Sequence, residues 1–116
     1  MDNSENIVQL KANYDIIKKE IKIEKVVFLP TISMFYGIII RMYCAPSEHN
    51  PPHFHAYYQE YKAIVDIQNC EIIEGQLPGK QAKLVTAWAE LRKEELLADW
   101  QLASNGELPF KIDPLK

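Results

Sequence analysis

The sequence of residues 53–76 is HFHAYYQEYKAIVDIQNCEIIEGQ, and this stretch decides the fold class. Aromatic and β-branched residues, which favour strands, fill three runs that are separated by short polar pairs. The predicted strands are residues 53–58, 61–68 and 71–76. The predicted turns are Gln59 with Glu60 and Asn69 with Cys70, where asparagine tolerates a left-handed backbone. Because these connections are so short, the three strands are predicted to form an antiparallel meander.

A further strand is predicted upstream, over residues 31–44. Pro30 marks its start, because the residue before a proline is pushed out of the helical region. The residues that follow are rich in β-branched and aromatic side chains, and Gly37 is predicted to be a bulge or bend. Alternation places on one face Ile32, Met34, Tyr36, Ile38, Ile40 and Met42. It places on the other face Phe35, Ile39, Arg41 and Tyr43.

Residues 80–103 have the composition of helix. Apolar residues form one stripe in the first half and another in the second half. The stripes are Leu84, Val85, Trp88 and Leu91, and then Leu96, Leu97, Trp100 and Ala103. At ~100° per residue the two stripes are offset by about a quarter turn, which predicts a kink or two helices that break near Arg92 and Lys93. Asn105 and Gly106 are a stop signal, and the tail beyond them is predicted to lie extended on the surface.

Residues 1–29 are predicted to be a helical extension of a single α+β domain formed by residues 30–116. One face of this helix carries the apolar residues Ile7, Leu10, Tyr14, Ile17 and Ile21. The stripe is narrow and heptad-like, so the helix either packs on its own domain or forms a dimer or partner helix. The predicted fold is therefore α+β. It comprises a three- to four-stranded antiparallel sheet, a C-terminal helical region of one kinked or two helices, and the N-terminal helix.

The chain of 116 residues has the size of one ordinary domain. No apolar run approaches the ~20 residues needed to cross a bilayer, and the first residues lack the features of a signal peptide. Cys44 and Cys70 form no CxxC pair and are predicted to be reduced, buried fillers. We therefore expect a cytoplasmic protein that has no membrane partner.

The net charge of −3 is concentrated in the middle of the chain. Residues 30–79 contain two basic residues, Arg41 and Lys62, against five acidic ones. The acidic residues are Glu48, Glu60, Asp66, Glu71 and Glu74. Non-specific nucleic-acid binding depends on Lys and Arg that neutralise phosphates. This composition therefore disfavours nucleic acid and suits a cation, a basic partner or a neutral ligand.

The histidines all lie in residues 49–55, whose sequence is HNPPHFH. His53 and His55 are two apart in a predicted strand, so they share a face with Tyr57. Three histidines are enough to bind zinc or another divalent ion, although the spacing fits no standard zinc signature. The candidate metal ligands are His49, His53 and His55, with Glu48 or Cys44 as a fourth. Two alternatives remain, in which the imidazoles bond backbone carbonyls exposed by the prolines or transfer protons.

Arg41 and Tyr43 suggest a catalytic alternative. If the strand that carries them pairs antiparallel with residues 53–58, their face meets the histidines. Histidine for proton transfer and arginine for the developing charge would suffice to cleave a phosphodiester without a metal. The candidate catalytic residues are His53, His55, Arg41 and Tyr43, and the candidate binding residues are Tyr57, Phe54 and Tyr58. Trp88 and Trp100 are predicted to be core residues that clamp helix to sheet.

Several motifs together resemble a known family. They are PTIS at 30–33, FYG at 35–37, RMY at 41–43, HNPPHFH at 49–55 with Tyr58, EGQLP at 74–78, Trp88, and ELL at 95–97 with Trp100. This pattern resembles the bacterial domain of unknown function 4160, over residues 30–112 and without residues 1–29. Gln59, and Asn69 or Cys70, stand where that family often has glycines at its turns.

The resemblance implies a partner and no defined activity. Such proteins are often encoded beside a second small family, in an arrangement that looks like a toxin–antitoxin operon. This implies a small partner protein and a regulatory or RNA-directed role. Three hypotheses follow: an interaction component of a toxin–antitoxin-like pair, a small metal-independent ribonuclease-like enzyme, and a histidine-based metal-binding protein.

Overall fold

The computed structural model describes residues 28–45 and 51–116. Within these residues, five strands precede two helices along the chain. The strands are β1 (Thr31–Phe35), β2 (Ile38–Arg41), β3 (His53–Tyr58), β4 (Tyr61–Asp66) and β5 (Glu71–Gln76). The helices are α1 (Gly79–Leu91) and α2 (Lys93–Ser104). The α+β class is confirmed, while the predicted N-terminal helix and its dimer contact fall on residues outside this description.

The strands form one antiparallel sheet in the order β1-β2-β3-β4-β5, so each strand pairs with its neighbour in sequence. The predicted meander is thereby confirmed, and β3, which carries His53 and His55, is the central strand. In the part of the chain described here, neither helix has the length and apolar character that a membrane span requires.

The single strand predicted over residues 31–44 is wrong, because the chain reverses in the middle of it. Tyr36 and Gly37 have φ angles of 49° and 78°. Two consecutive residues with positive φ form the tight type I′ turn that matches the twist of a two-stranded hairpin. The position predicted as a bulge is therefore a turn between β1 and β2, which gives five described strands instead of three or four.

The turn and a bulge also change which side chains of β1 face inward. The register of β1 against β2 shifts between Thr31 and Ser33. Phe35 is buried, whereas Met34 and Tyr36 are each 61% exposed. The face predicted for these three side chains is wrong, since the bulge and the turn each displace the simple alternation of the strand.

The other strand predictions are close to the observed bounds. β3 and β5 have the predicted limits, and β4 ends two residues early at Asp66. The Asp66 carboxylate accepts hydrogen bonds from the backbone amide and the side-chain amide of Asn69, at 3.1 and 2.8 Å. This local cap draws the chain into a turn, because aspartate bonded to an amide further along competes with the strand ladder.

The C-terminal region consists of two helices, one of the two predicted alternatives. The break is at Arg92, whose backbone angles of −111° and 19° are not helical. Its amide still donates to the carbonyl of Trp88 at 2.9 Å, which closes α1. α2 ends as the Asn105–Gly106 signal predicts, with the amide of Glu107 bonded to the carbonyl of Leu102 at 2.9 Å.

The core lies between the helices and one face of the sheet, called the inner face. The fully buried side chains of the inner face are Ile38, Ile40, Phe54, Ala56 and Val65. Trp88 of α1 is fully buried against them, with its ring 5.2 Å from Phe35 and in T-shaped contact with Phe54 at 5.7 Å. Its indole nitrogen donates to the carbonyl of Asp113 at 2.8 Å. The core role predicted for Trp88 is confirmed.

The C-terminal tail packs more closely than predicted. Ile112 is buried, and its amide donates to the carbonyl of Ile32 at 2.8 Å. The ammonium group of Lys111 donates to the carbonyl of Thr31 at 2.6 Å. The tail therefore covers part of the open edge of β1, where unpaired backbone groups would otherwise be available to another chain.

Candidate functional site

The opposite, outer face of the sheet carries the predicted site residues. Alternation along β3 points His53, His55 and Tyr57 away from the core, while Phe54 and Ala56 point into it. The predicted antiparallel pairing is confirmed, since Arg41 lies directly opposite His55 in the register of β2 and β3. Arg41, His53, His55 and Tyr57 therefore form one continuous surface, called the histidine face.

The rings of the histidine face follow one another at short distances. The centroids of His53 and His55 are 5.5 Å apart, and those of His55 and Tyr57 are 6.4 Å apart with nearly parallel planes. Trp100 of α2 extends the series, because its ring centroid is 4.9 Å from that of His53. The predicted role of Trp100 as a core residue is therefore incomplete, since this half-buried indole also borders the site.

Arg41 occupies the other end of the histidine face. Its guanidinium carbon is 5.5 Å from the centre of the Tyr57 ring, within the range of a cation–π contact. Its Nε atom is buried and has no hydrogen-bond partner. Within the described residues, no hydrogen bond or ion pair holds the Arg41 side chain. A guanidinium is thus held beside the histidines by packing and by the tyrosine ring.

The hydrogen bond of His53 determines where this ring carries its proton. Nδ1 lies 2.9 Å from the carbonyl oxygen of Pro51. Because a carbonyl only accepts, Nδ1 must donate, and in the neutral ring Nε2 then carries the lone pair. The predicted structural role, an imidazole bonded to a carbonyl exposed by the prolines, is confirmed for His53. The same bond leaves Nε2 able to accept a proton or to bind a metal.

The three-histidine metal site stays a prediction. His49 and Glu48 lie outside the described residues. Among the residues that are described, no group of three His, Cys, Asp or Glu side chains is placed to hold a metal ion. The remaining ligand candidate, Cys44, donates through Sγ to the carbonyl of Glu107 at 3.1 Å, and burial raises the pKa of its thiol. Since metals bind the thiolate, this environment disfavours Cys44 as a ligand.

Cys70 is also a free thiol and has a packing role. It is buried, and its Sγ donates to the carbonyl of Ile67 at 3.4 Å. Burial raises the pKa of its thiol, an effect that the nearby Lys93 ammonium partly offsets. The prediction of a small buried filler is confirmed for this cysteine.

The other candidate residues separate into different places. Tyr43 is half-buried and lies two residues beyond Arg41, past the end of β2. Phe54 is fully buried and points into the core, so it does not belong to the histidine face. Tyr58 packs against the core cluster and accepts a hydrogen bond from Gln59 at 3.3 Å, so it does not belong to the histidine face. Of the predicted binding aromatics, the structure brings only Tyr57 to the histidine face.

The charges on the outer face are distributed differently from those of the acidic segment 30–79 as a whole. Lys62 is directly opposite Tyr57 in the register of β3 and β4, and directly opposite side chains lie on the same face. Both basic residues of the acidic middle segment, Arg41 and Lys62, therefore flank one tyrosine. Asp66 lies opposite His53, and its carboxylate accepts hydrogen bonds from the backbone and side-chain amides of Asn69. Composition alone thus missed a pair of cations beside the aromatic rings of this face.

Comparison with known proteins agrees with the motif resemblance. A family model described as a domain of unknown function, DUF4160, matches residues 37–101. The match begins at the β1–β2 turn and ends one residue after Trp100, so it contains every member of the histidine face. The search of curated proteins and the search of solved structures each found no match. Because the family model covers more than half of the 116 residues, the chain belongs to the DUF4160 family.

Proposed function

We propose that the protein is a small regulatory component of a toxin–antitoxin-like pair, and that its histidine face recognises a phosphate-bearing ligand. The gene-pair role derives from the sequence resemblance. The phosphate-bearing ligand derives from Arg41, which lies at one end of an aromatic surface and has no anionic partner among the described residues. This placement of Arg41 is the observation that carries the proposal.

The environment of the Arg41 side chain supports a role in ligand binding. Leaving a buried donor without a partner costs about 1–3 kcal/mol, so the fold gains little from the Nε atom. The guanidinium is planar, always charged, and matches phosphate with parallel hydrogen bonds. The Tyr57 ring holds it in one orientation, which reduces the entropy lost when a ligand binds.

The histidines complete the recognition surface. His55 lies opposite Arg41, and His53 presents its Nε2 atom because Nδ1 is bonded to Pro51. An imidazole can donate to or accept from a phosphate, depending on its protonation state. A phosphate bound against Arg41 would therefore have at least one adjustable hydrogen-bonding group beside it.

The proposal is tested by the melting temperature in inorganic tripolyphosphate. A ligand present at about 100 times its dissociation constant stabilises the folded state by about 2.7 kcal/mol, so the melting temperature of the wild type should rise. Arg41→Met, which keeps an unbranched apolar stem, should abolish this rise. Lys83→Met, a charge-matched change on the exposed side of α1, should keep it. An equal rise in all three proteins would mean non-specific screening and would contradict the proposal.

A second candidate function is metal-independent cleavage of a ribose phosphodiester, and the tautomer of His53 favours it. In this scheme Nε2 of His53 removes the proton of a 2′-hydroxyl, whose oxygen attacks phosphorus. Protonated His55 donates its proton to the departing 5′-oxygen, and Arg41 stabilises the charge that develops on the phosphoryl oxygens. The products are a 2′,3′-cyclic phosphate and a 5′-hydroxyl, and a later exchange of protons with water resets the two imidazoles.

The cleavage scheme requires one neutral and one protonated imidazole. The rate should therefore depend on pH with a bell shape, and either His53→Ala or His55→Ala should reduce it by about 10²-fold or more. Lys83→Met should leave it unchanged. Cleavage that persists in the double histidine variant would come from another source and would exclude this function.

A further inference from the structure

A cleft beside the histidine face can hold a planar group. It lies between the start of β3 and α2, has a volume of about 410 Å³, and is lined by Pro52, Leu97, Ala98, Trp100 and Gln101. This volume is within the usual range for sites that bind small molecules. The walls offer an indole ring, apolar side chains and one amide, which has both donors and an acceptor. These are the groups that stack on a nucleobase and bond to its edge.

The cleft is continuous with the histidine face. Trp100 lines the cleft and also contacts the ring of His53, and from there the rings of His55 and Tyr57 follow along β3. His53 and Tyr57 are four residue steps apart along the strand, a length of about 13 Å. A ligand that uses both ends must therefore be longer than one nucleotide.

The charges define the path of an anionic ligand. Arg41 and Lys62 flank Tyr57, at the end of the ring series that is remote from the cleft. On the outer face, Asp66 lies opposite His53 with its carboxylate bonded to Asn69, and Glu74 lies on β5 opposite Ile64. Phosphates are therefore favoured beside Arg41 and Lys62, at the Tyr57 end of the face, and disfavoured towards β5.

We propose that the phosphate-bearing ligand is single-stranded nucleic acid, with one base in the Trp100 cleft and another on Tyr57. This inference rests on the proposed function. A single strand exposes the faces of its bases to aromatic side chains, whereas a duplex hides them. Duplex binding would also need many phosphate contacts, and this surface offers two cations.

Fluorescence anisotropy with labelled ten-nucleotide probes tests the ligand class. The probes are a mixed-sequence RNA strand, the DNA strand of the same sequence, its duplex, and an abasic strand with the same number of phosphates. Both single strands should bind more tightly than the duplex and the abasic strand, and their ratio identifies which sugar is preferred. Equal binding of the abasic strand would show that bases are not recognised and would overturn the inference.

The dependence on salt gives an independent measurement. With two phosphates neutralised on a single strand, the logarithm of affinity should fall with the logarithm of salt concentration with a slope of about −1.4. A slope steeper than about −4 would indicate many phosphate contacts, as in purely electrostatic binding, and would overturn the inference.

Aromatic variants locate the bound bases. Tyr57→Leu and Trp100→Leu should each weaken binding of the DNA strand by about 5- to 150-fold, the loss expected for one stacked base. Trp100→Phe should restore most of the affinity, because it keeps an aromatic face. Phe110→Leu, the same kind of change at a 73% exposed position outside the cleft and the histidine face, is the control and should bind normally. If Trp100→Leu fails to fold, Tyr57→Leu alone decides, and unchanged affinity in that variant would contradict the inference.

The two proposals fail in distinguishable ways. Stabilisation by tripolyphosphate that depends on Arg41, together with no binding of any strand, would keep the phosphate site and overturn the nucleic-acid ligand. Such a result would leave a phosphate-bearing ligand other than a nucleic-acid strand. Absence of both effects would overturn the nucleic-acid ligand and the phosphate site together.

Discussion

The two faces of β3 differ although their residues alternate along the same six positions. On the inner face, Phe54 and Ala56 are fully buried beneath the helices. On the outer face, His53, His55 and Tyr57 are half-buried and contact one another as rings. Stability is therefore concentrated on one side of the strand, and the groups able to perform chemistry are on the other.

This division has a physical consequence for substitutions. A core side chain loses both transfer free energy and packing contacts when it is truncated, because the surrounding structure relaxes only partly. An outer side chain loses a few cross-strand contacts, each worth roughly 0.2–1 kcal/mol. Paired variants, one on each face of β3, therefore measure how far the two faces differ.

The largest expected effect is for Phe54→Ala. It should lower the free energy of unfolding by about 3–5 kcal/mol, since it leaves a cavity beside Trp88. Tyr57→Ala, the same kind of truncation on the outer face, should cost about 1 kcal/mol. Urea unfolding of the two variants measures both values. Similar losses of unfolding free energy in both variants would show that the outer face is a second core. That result would contradict the difference between the two faces of β3.

A second pair of variants concerns β5, where the register shifts and the alternation of the faces breaks. Gly75 has a φ of 75°, and a Cβ there would clash with the carbonyl oxygen of Lys62. Gly75→Ala should cost about 1–3 kcal/mol of stability. Gly79→Ala, at the open start of α1 where a Cβ meets nothing, should instead stabilise by about 0.4–1 kcal/mol. Thermal unfolding separates the two, and a stable Gly75→Ala protein would contradict the observed path of β5.

A third expectation concerns a carboxylate in the inner layer. Asp99 of α2 is 3% exposed, and one of its oxygens accepts from the amide of Phe110 at 2.9 Å while the other has no partner. Burial raises the pKa of Asp99, so the folded state binds a proton more tightly than the unfolded state. Stability should therefore fall as pH rises from the ordinary carboxyl pKa, about 4, through the raised one.

Asp99→Asn removes this titration and keeps an oxygen for the Phe110 amide. Relative to the wild type, the variant should gain stability as pH rises through that window. Glu94→Gln removes a carboxylate from an exposed position of the same helix and is the control for the loss of one charge. Denaturation at a series of pH values measures the slopes, and an unchanged slope in Asp99→Asn would contradict the role given to burial.

The smallest expected effect is on the outer face itself. Arg41→Met removes a cation–π contact worth about 0.5–1 kcal/mol but also removes a buried donor that has no partner. The free energy of unfolding should be unchanged or about 1 kcal/mol higher. A clear loss of stability would mean that Arg41 serves the fold, and the division between the faces would then be less sharp than described.

Much of the fold could be predicted because the spacing of apolar residues in strongly periodic segments distinguishes strand from helix. The limits of β3 and β5, the helix break at Arg92 and the stop at Gly106 agree with the sequence patterns. The β1–β2 hairpin was missed because its turn begins with Tyr36, a residue that rarely adopts positive φ, in place of the usual Asn or Asp. A continuous strand that contains one glycine and a hairpin that turns at one glycine then have the same sequence pattern.

The candidate site was predictable in part for the same reason. Period-two alternation and antiparallel pairing across the loop between the two strands were enough to bring His53, His55 and Tyr57 to the face of Arg41. The same alternation indicates that Phe54, between His53 and His55, points into the core. Trp100 could not be placed, because its contact with His53 depends on how α2 packs beside the sheet, which no local pattern specifies.

The central claim, that the histidine face is the recognition surface, is tested most directly by chemical-shift mapping in ¹H–¹⁵N NMR spectra with added tripolyphosphate. We expect the largest shifts at Arg41, His53, His55 and Tyr57, with Phe54 and Ala56 of the same strand nearly unmoved. Shifts centred on the exposed lysines of α1, or spread evenly over both faces, would contradict it.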